Sequence, residues 1–330
     1  MKTHTSTNFA DPVSNGVQVV KVEPDRAGQR VDNFLAGRLK GVPRSLVYRI
    51  LRTGQVRING RRAKPDTRLE AGDEVRIPPV RTAQRDDPGT PASGQLRRIE
   101  QAILHEDREF LVLDKPSGIA SHGGSGISFG AIELLRAARP KDSLELVHRL
   151  DRDTSGVLVL ARKRSALTAL QEQIREGRAS KHYLTLLLGT LPKPRMTVRE
   201  ALRKSVLQGG ERMVRVDAEG KPSVSHLSQL ERYADACLCE VAIETGRTHQ
   251  IRVHCAHIGH PVAGDEKYGE RAFNQRMRGA GLKRLFLHAA RFEFEIGERR
   301  YAFSSPLPQD LRQVLDQLQL TMGQDGPIRK

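Results

Sequence analysis

The chain contains no tryptophan, and nine phenylalanines and five tyrosines are few for 330 residues. A broad aromatic platform for successive bases is therefore excluded as the main device for holding a nucleic acid strand. Cysteine is scarcer still. Cys237, Cys239 and Cys255 are an odd, sparse set that builds no disulfide framework, so a reducing cytoplasm is the expected location. The single residue between the first two is not the two-residue gap of a zinc or redox pair. Cys237, Cys239, Val241 and Ile243 alternate along residues 236–244, which reads as a strand with small buried hydrophobes. No apolar run approaches the roughly 20 residues that cross a bilayer, and the first sixteen residues lack the apolar core of a secretory signal. Neither a P-loop nor a Gly-x-Gly-x-x-Gly after a strand is present, which excludes the common nucleotide-binding folds and leaves no nucleotide cofactor to expect.

Positive charge is abundant. Lys and Arg number 55 against 39 Asp and Glu, giving a net charge of +16 and a pI of about 10.2. A protein this basic meets a polyanion, and the charge is interspersed with apolar residues rather than gathered in one tail. A folded nucleic-acid binder fits, with backbone phosphates as the source of affinity.

The length suits two domains. Residues 1–16 read as a disordered polar tail. Residues 17–80 read as a small α/β unit. Val31, Phe34, Leu35 and Leu39 fall at helical spacing, and a second helix carries Leu46, Val47, Ile50 and Leu51 behind a Ser45 cap. Val56-Arg57-Ile58 leads into Asn59-Gly60, a hairpin turn signal, and Glu74-Val75-Arg76-Ile77 is a later strand. This unit holds fourteen Lys/Arg against seven Asp/Glu, hence +7, with Arg44, Arg49, Arg52, Arg57 and Arg61 on the second helix and hairpin. Residues 81–96, rich in Pro, Gly, Ser, Thr and charge, read as a flexible linker. A larger domain is expected over 97–318, with a polar tail at 319–330. Its strand-like runs lie at 110–113, 157–161, 183–188, 237–243 and 285–294, and a helix fits 165–176 up to Gly177. Without regular β-α alternation, the expected class is α+β: a small α/β unit linked to a mixed, mostly antiparallel sheet with flanking helices and a central cleft.

Four segments of the larger domain are dense in functional groups. The first, from Asp114-Lys115-Pro116 to Gly126, is glycine-rich and suits close approach of backbone amides to a phosphate or base. The second, His148-Arg149-Leu150-Asp151-Arg152-Asp153-Thr154-Ser155-Gly156, places two carboxylates, two arginines and a histidine before the apolar run 157–161, so chemistry sits on a loop supported by a rigid strand. A polar turn would use the same residue types. The third is Ser180-Lys181-His182-Tyr183, where the tyrosine either joins the core or lies against a base. The fourth runs from Glu244 through Arg247, His249 and Arg252 to His254, His257, His260 and Tyr268. Its histidines invite a metal. The cationic surroundings and the lack of a well-spaced acidic or thiolate ligand argue for none.

The wording of the second and fourth segments, His148 to Gly156 and Gly246-Arg247-Thr248-His249-Gln250-Ile251-Arg252, resembles the A-type family of pseudouridine synthases. Gly54 to Gly60 followed by Gly72-Asp73 resembles an S4 RNA-binding domain. Gly126 to Gly130, Gly220 to Ser223 and Arg284 to Ala289 look like the branch acting on the large ribosomal subunit. The resemblance implies uridine isomerisation in 23S ribosomal RNA with no cofactor or metal; the expected partner is that RNA or a large-subunit assembly intermediate, and a monomer is expected. The resemblance further implies that Asp151 is the catalytic aspartate, Asp153 a neighbour without that role, and Arg252 the basic partner of Asp151. Tyr183 would pack on the target base, and Arg149 would fill the gap left by a flipped base. Arg247, His249 and Lys181 would contact RNA, together with the five arginines of the small unit. A non-catalytic RNA-binding assembly factor and a nucleoside hydrolase remain as alternatives. The second commonly opposes two carboxylates across the bond, and Asp151 and Asp153 are close together for that.

Overall fold

The computed structural model describes residues 16–39, 42, 44–80, 89–124, 128–206 and 212–324, with the side chains of 44, 45, 206, 212 and 322–324 left aside. The tail expected at 1–16 therefore lies, except for Gly16, outside the described residues, as do 81–88 of the linker and 125–127 of the glycine-rich segment. By internal packing the chain divides into Met1–Gly89 and Thr90–Lys330.

The first unit contains β1 (Gln18–Lys21), α1 (Val31–Arg38), α2 (Arg44–Arg52), β2 (Arg57–Ile58), β3 (Arg61–Arg62) and β4 (Glu74–Ile77), with its antiparallel sheet ordered β1-β4-β2-β3. Val31, Phe34 and Leu35 of α1 and Val47, Ile50 and Leu51 of α2 bury against Val56, Val75 and Ile77. Asn59 (φ 48°) and Gly60 (φ 77°) are both left-handed, the geometry of a two-residue hairpin whose twist matches its strands. Arg49, Arg52, Arg57 and Arg61 are exposed; the Arg44 side chain lies outside the described residues.

The second unit begins with α3 (Ser93–Gln101), β5 (Ile103–Glu106), β6 (Phe110–Lys115), α4 (Ala131–Ala138), β7 (Glu145–Leu146), β8 (Ser155–Ala161) and α5 (Arg164–Arg175). There follow β9 (Ser180–Leu188), β10 (Arg195–Arg199), β11 (Leu202–Val206), β12 (Arg212–Val216), β13 (Val224–Arg232) and β14 (Ala236–Ile243). The chain closes with α6 (Gln250–His257), α7 (Arg271–Gly279), β15 (Leu287–Ile296), β16 (Arg299–Ser304) and α8 (Gln309–Gln324). The main sheet runs β10-β13-β14-β9-β15-β8-β6-β5, with β16 on β15 and β7 on β8. Among its described pairs only β15 with β8 is parallel.

Two boundaries read from composition move. Residues 93–96, placed in the linker, form the first turn of α3, because Leu96 and Ile99 pack against the core. The tail placed at 319 begins later, because α8 continues to Gln324; Leu311, Val314, Leu315 and Leu318 give it an apolar stripe.

Strand β8 fixes the chemistry-bearing loop. All seven of its residues are buried. Leu158 and Leu160 pack with Ile132 and Leu135 of α4, whereas Val157, Val159 and Ala161 pack with Ala166, Leu167 and Leu170 of α5. Helices cover both faces, so the strand is a continuous apolar run rather than an alternating one. At its start Gly156 adopts φ 108° against Ala289 of β15, and a methyl group there would collide with the Ala289 backbone carbonyl. Gly156→Ala is therefore expected to destabilise the protein by about 2–4 kcal/mol, combining backbone strain and overpacking. The urea midpoint checks this; an unchanged midpoint would mean that β8 and β15 separate freely.

Candidate active site

The loop between β7 and β8 carries Asp151 and is pinned from several sides. Ser121 Oγ accepts from Leu150 N–H and donates to Leu150 O, both at 2.8 Å. Ser117 Oγ donates to Asp153 O at 2.8 Å, and Gly118 N–H donates to Arg152 O at 2.9 Å. Lys115 is fully buried, and its ammonium donates to the carbonyls of Pro116 (3.0 Å), Ile119 (2.6 Å) and Arg152 (3.1 Å). Burial draws its pKa down to about 7 against the opposing pull of Asp153 and Asp151. In the described part of the glycine-rich segment, residues 115–121 thus fasten the loop to β6.

Asp151 faces a niche of about 70 Å³ whose walls include Thr154, Tyr183, Ile243, His249 and Arg252. Among the described residues it is the only carboxylate there; Asp153 lines a different cavity, with Ser117 and Arg284, and bonds Arg152 at 3.1 Å. Two residues apart in sequence, the carboxylates do not form an opposed pair.

Two nitrogen groups stand 3.8 Å from Asp151 Oδ2: Arg252 Nη1 and His249 Nε2. The Arg252 guanidinium is held elsewhere, donating from Nε and Nη2 to the two oxygens of Asp265 at 2.7 Å each. It also lies 5.1 Å from the centre of the Tyr268 ring. Asp265 further accepts from the backbone N–H of Lys267 and Tyr268. Burial pulls the Asp265 pKa upward, but Arg252 and these amides outweigh it and hold the carboxyl below its ordinary range. Arg252 therefore reaches Asp151 with its remaining nitrogen while Asp265 fixes its plane, which is the bidentate use of arginine that a lysine cannot reproduce. Nothing near Asp265 in sequence signals this partnership; only the fold brings it onto α6.

His249 caps α6 in the left-handed region (φ 54°) and meets the Tyr268 hydroxyl through Nδ1 at 2.8 Å. That hydroxyl also accepts from Val214 N–H at 3.0 Å, which ties His249 and Tyr268 to β12. Burial lowers the His249 pKa, favouring the neutral ring.

Tyr183 packs in the core and also forms a wall of the niche. Burial, reinforced by Asp151, raises its pKa and keeps the phenol protonated. Arg149 and Arg247 are exposed at the mouth, and Lys181 is buried beside them. The histidines considered for metal are spent singly: His254 bonds Ser223 and Ser225, and His260 bonds the Leu188 carbonyl. Among the described residues no cluster of three metal-ligating side chains forms.

Residues 109–257 match the family model described as RNA pseudouridylate synthase, and residues 29–75 match the S4 domain. The proteins named ribosomal large subunit pseudouridine synthase C of Salmonella typhimurium and Escherichia coli are 56% and 52% identical to this chain. The first alignment spans 84% of this chain and 88% of the relative, the second 92% and 97%. The chain belongs to the RNA pseudouridylate synthase family. It is an isomerase that converts uridine in RNA to pseudouridine, and its N-terminal unit is an S4 RNA-binding domain. Human RNA pseudouridylate synthase domain containing 1, at 28% identity, superposes with a TM-score of 0.53 over 66% of this chain and 94% of that one. Domain containing 4, at 23% identity, shares the fold with a TM-score of 0.57 over 68% and 95%. Among the described residues no helix of this synthase is long and apolar enough to cross a membrane.

Proposed function

We propose that this synthase acts in the cytoplasm, as a monomer without cofactor or metal, on uridines of 23S ribosomal RNA or a large-subunit assembly intermediate. Asp151 is its essential carboxylate. The observation that carries the residue assignment is the solitary Asp151 in a niche walled by Tyr183 and flanked by Arg252 and His249. The names of the bacterial relatives support the large-subunit target.

The reaction breaks the N1–C1′ bond, turns the uracil and joins C5 to C1′, after which the C5 proton leaves. The base must first leave the stack, at a cost of a few kcal/mol, and Arg149 at the mouth fills the space it vacates. Tyr183 forms the wall on which the freed uracil turns. One carboxylate at C1′ serves as nucleophile, as base toward the sugar, or as a stabiliser of developing positive charge. Hydrolysis is avoided only when water is kept from the niche, which the RNA seated over its mouth would close.

The test is to map pseudouridine in 23S RNA from cells lacking the protein and again after adding it back. Sites absent in the first sample and restored in the second support the reading. An unchanged map would remove 23S RNA as the target.

The exposed Arg49, Arg52, Arg57 and Arg61 supply phosphate contacts. Changing all four to Gln is expected to weaken RNA binding and to reduce the salt slope of log affinity by about 0.7–0.9 for each phosphate no longer neutralised. Filter binding across a salt series checks it; an unchanged slope would place the S4 arginines off the RNA.

A further inference from the structure

Beside the niche, and sharing Arg149, Asp151, Tyr183 and Arg247 with it, opens a second cavity of about 480 Å³. Four cations line it: Arg149, Arg175, Lys181 and Arg247. Its acids are Asp151, which faces the niche as well, and Glu244, which is engaged by His226 at 2.7 Å. Arg175 has Glu172 as a partner, and the Arg247 Nε donates to the Pro222 carbonyl.

Lys181 differs from the others. It is only 5% exposed, yet among the described residues its ammonium has neither a hydrogen-bond acceptor nor a carboxylate partner. Its stem is buried while the ammonium itself reaches the cavity, so an anion seated there would supply the counter-charge that the protein does not. Burial and the nearby Arg247 draw its pKa down to about 8. The same charge helps press the neighbouring His148, also desolvated, down to about 3. Gly246 leaves the ammonium uncovered, since a Cβ at that position would stand 3.8 Å from Nζ.

Position supplies the rest. Lys181 and Tyr183 are alternate residues of β9 and share one face, about 7 Å apart along the strand. The cation therefore lies one step from the aromatic wall of the niche, a separation comparable to that between a base and its own backbone phosphate. A neutral uracil oxygen would leave the excess of positive charge unanswered, whereas a phosphodiester answers it with two anionic oxygens.

We propose that this cavity seats a backbone phosphate adjoining the flipped uridine, with Lys181 as its buried anchor and Arg149 and Arg247 as its outer contacts. The assignment rests on the reading of the niche as the uridine site. Lys181 binds and positions RNA; it does not touch the bond that breaks.

The test pairs a protein change with an RNA change. A 23S fragment carrying C5-tritiated uridine at a position that lacks pseudouridine in cells without the protein is assembled with a single methylphosphonate, which lacks the charge, at each nearby linkage in turn. The wild type is expected to lose about tenfold in kcat/KM at one linkage. Lys181→Met is expected to lose about tenfold on the all-phosphate RNA and no more than about twofold further when that linkage is neutralised. Lys181→Arg, which keeps the charge, should retain most of the activity. If the losses multiply in Lys181→Met, or if no nearby linkage matters to the wild type, the phosphate seat is wrong. If the wild type releases no tritium from the all-phosphate RNA, the enzymatic reading fails and the seat falls with it.

Discussion

Asp151→Asn is expected to lower turnover by at least about 10⁴-fold while leaving RNA affinity within a few fold. Asparagine keeps the shape of the side chain. Arg252 stays anchored by Asp265, so the niche persists without its carboxylate. Binding drawn from phosphate contacts is untouched by the change. Asp153→Asn should remain near wild type, because Asp153 opens onto another cavity. Single-turnover kinetics beside equilibrium binding separate the two effects. Loss of activity in Asp153→Asn with retention in Asp151→Asn would transfer the role.

The second large effect is expected at Asp265, which touches no substrate in this account. Its side chain is fully buried and receives both Arg252 bonds and two backbone amides. Asp265→Ala leaves a buried guanidinium without its bidentate partner and with only Asp151, 3.8 Å from Nη1, as counter-charge, which costs about 3 kcal/mol. For a unit of this size the melting temperature should fall on the order of 10 °C. Turnover should fall too, since Arg252 loses the plane that holds Nη1 at 3.8 Å from Asp151. The pH dependence has a definite sign. The folded pKa of Asp265 is lowered, so its stabilisation is fully present above the unfolded value of about 3.9 and is lost as pH falls through the folded value. Asp265→Asn should remove that acid-side loss. Thermal melts of wild type and variants from neutral to acid pH check both parts. Equal stability at neutral pH would show that Arg252 does not depend on Asp265.

The contrast between Asp151 and Asp265 shows what a sequence carries. Asp151 lies in a dense polar loop before the apolar run that becomes β8, so local patterning marks both the chemistry and its support. Asp265 lies thirteen residues from Arg252 in an ordinary turn, and its importance arises only when the chain folds that turn onto α6. Lys115 is similar: its ligands are carbonyls, which have no signature in side-chain identity. Strands β6 and β8 were legible as apolar runs because both of their faces are largely buried, and β14 by the alternation of Cys237, Cys239, Val241 and Ile243. The strands β10 to β12 are short and rich in arginine and lysine, so burial leaves little periodic trace in them. The hairpin at Asn59-Gly60 was legible for a different reason, since few residue pairs accept two successive left-handed conformations.

The role of Asp151 in uridine isomerisation is tested by tritium release from 23S RNA labelled at uridine C5, with wild type and Asp151→Asn side by side and free uracil assayed in the same samples. Release by the wild type alone, with no free uracil, is expected. Release by the Asp151→Asn enzyme at a comparable rate, or uracil accumulating with the wild type, would contradict that role.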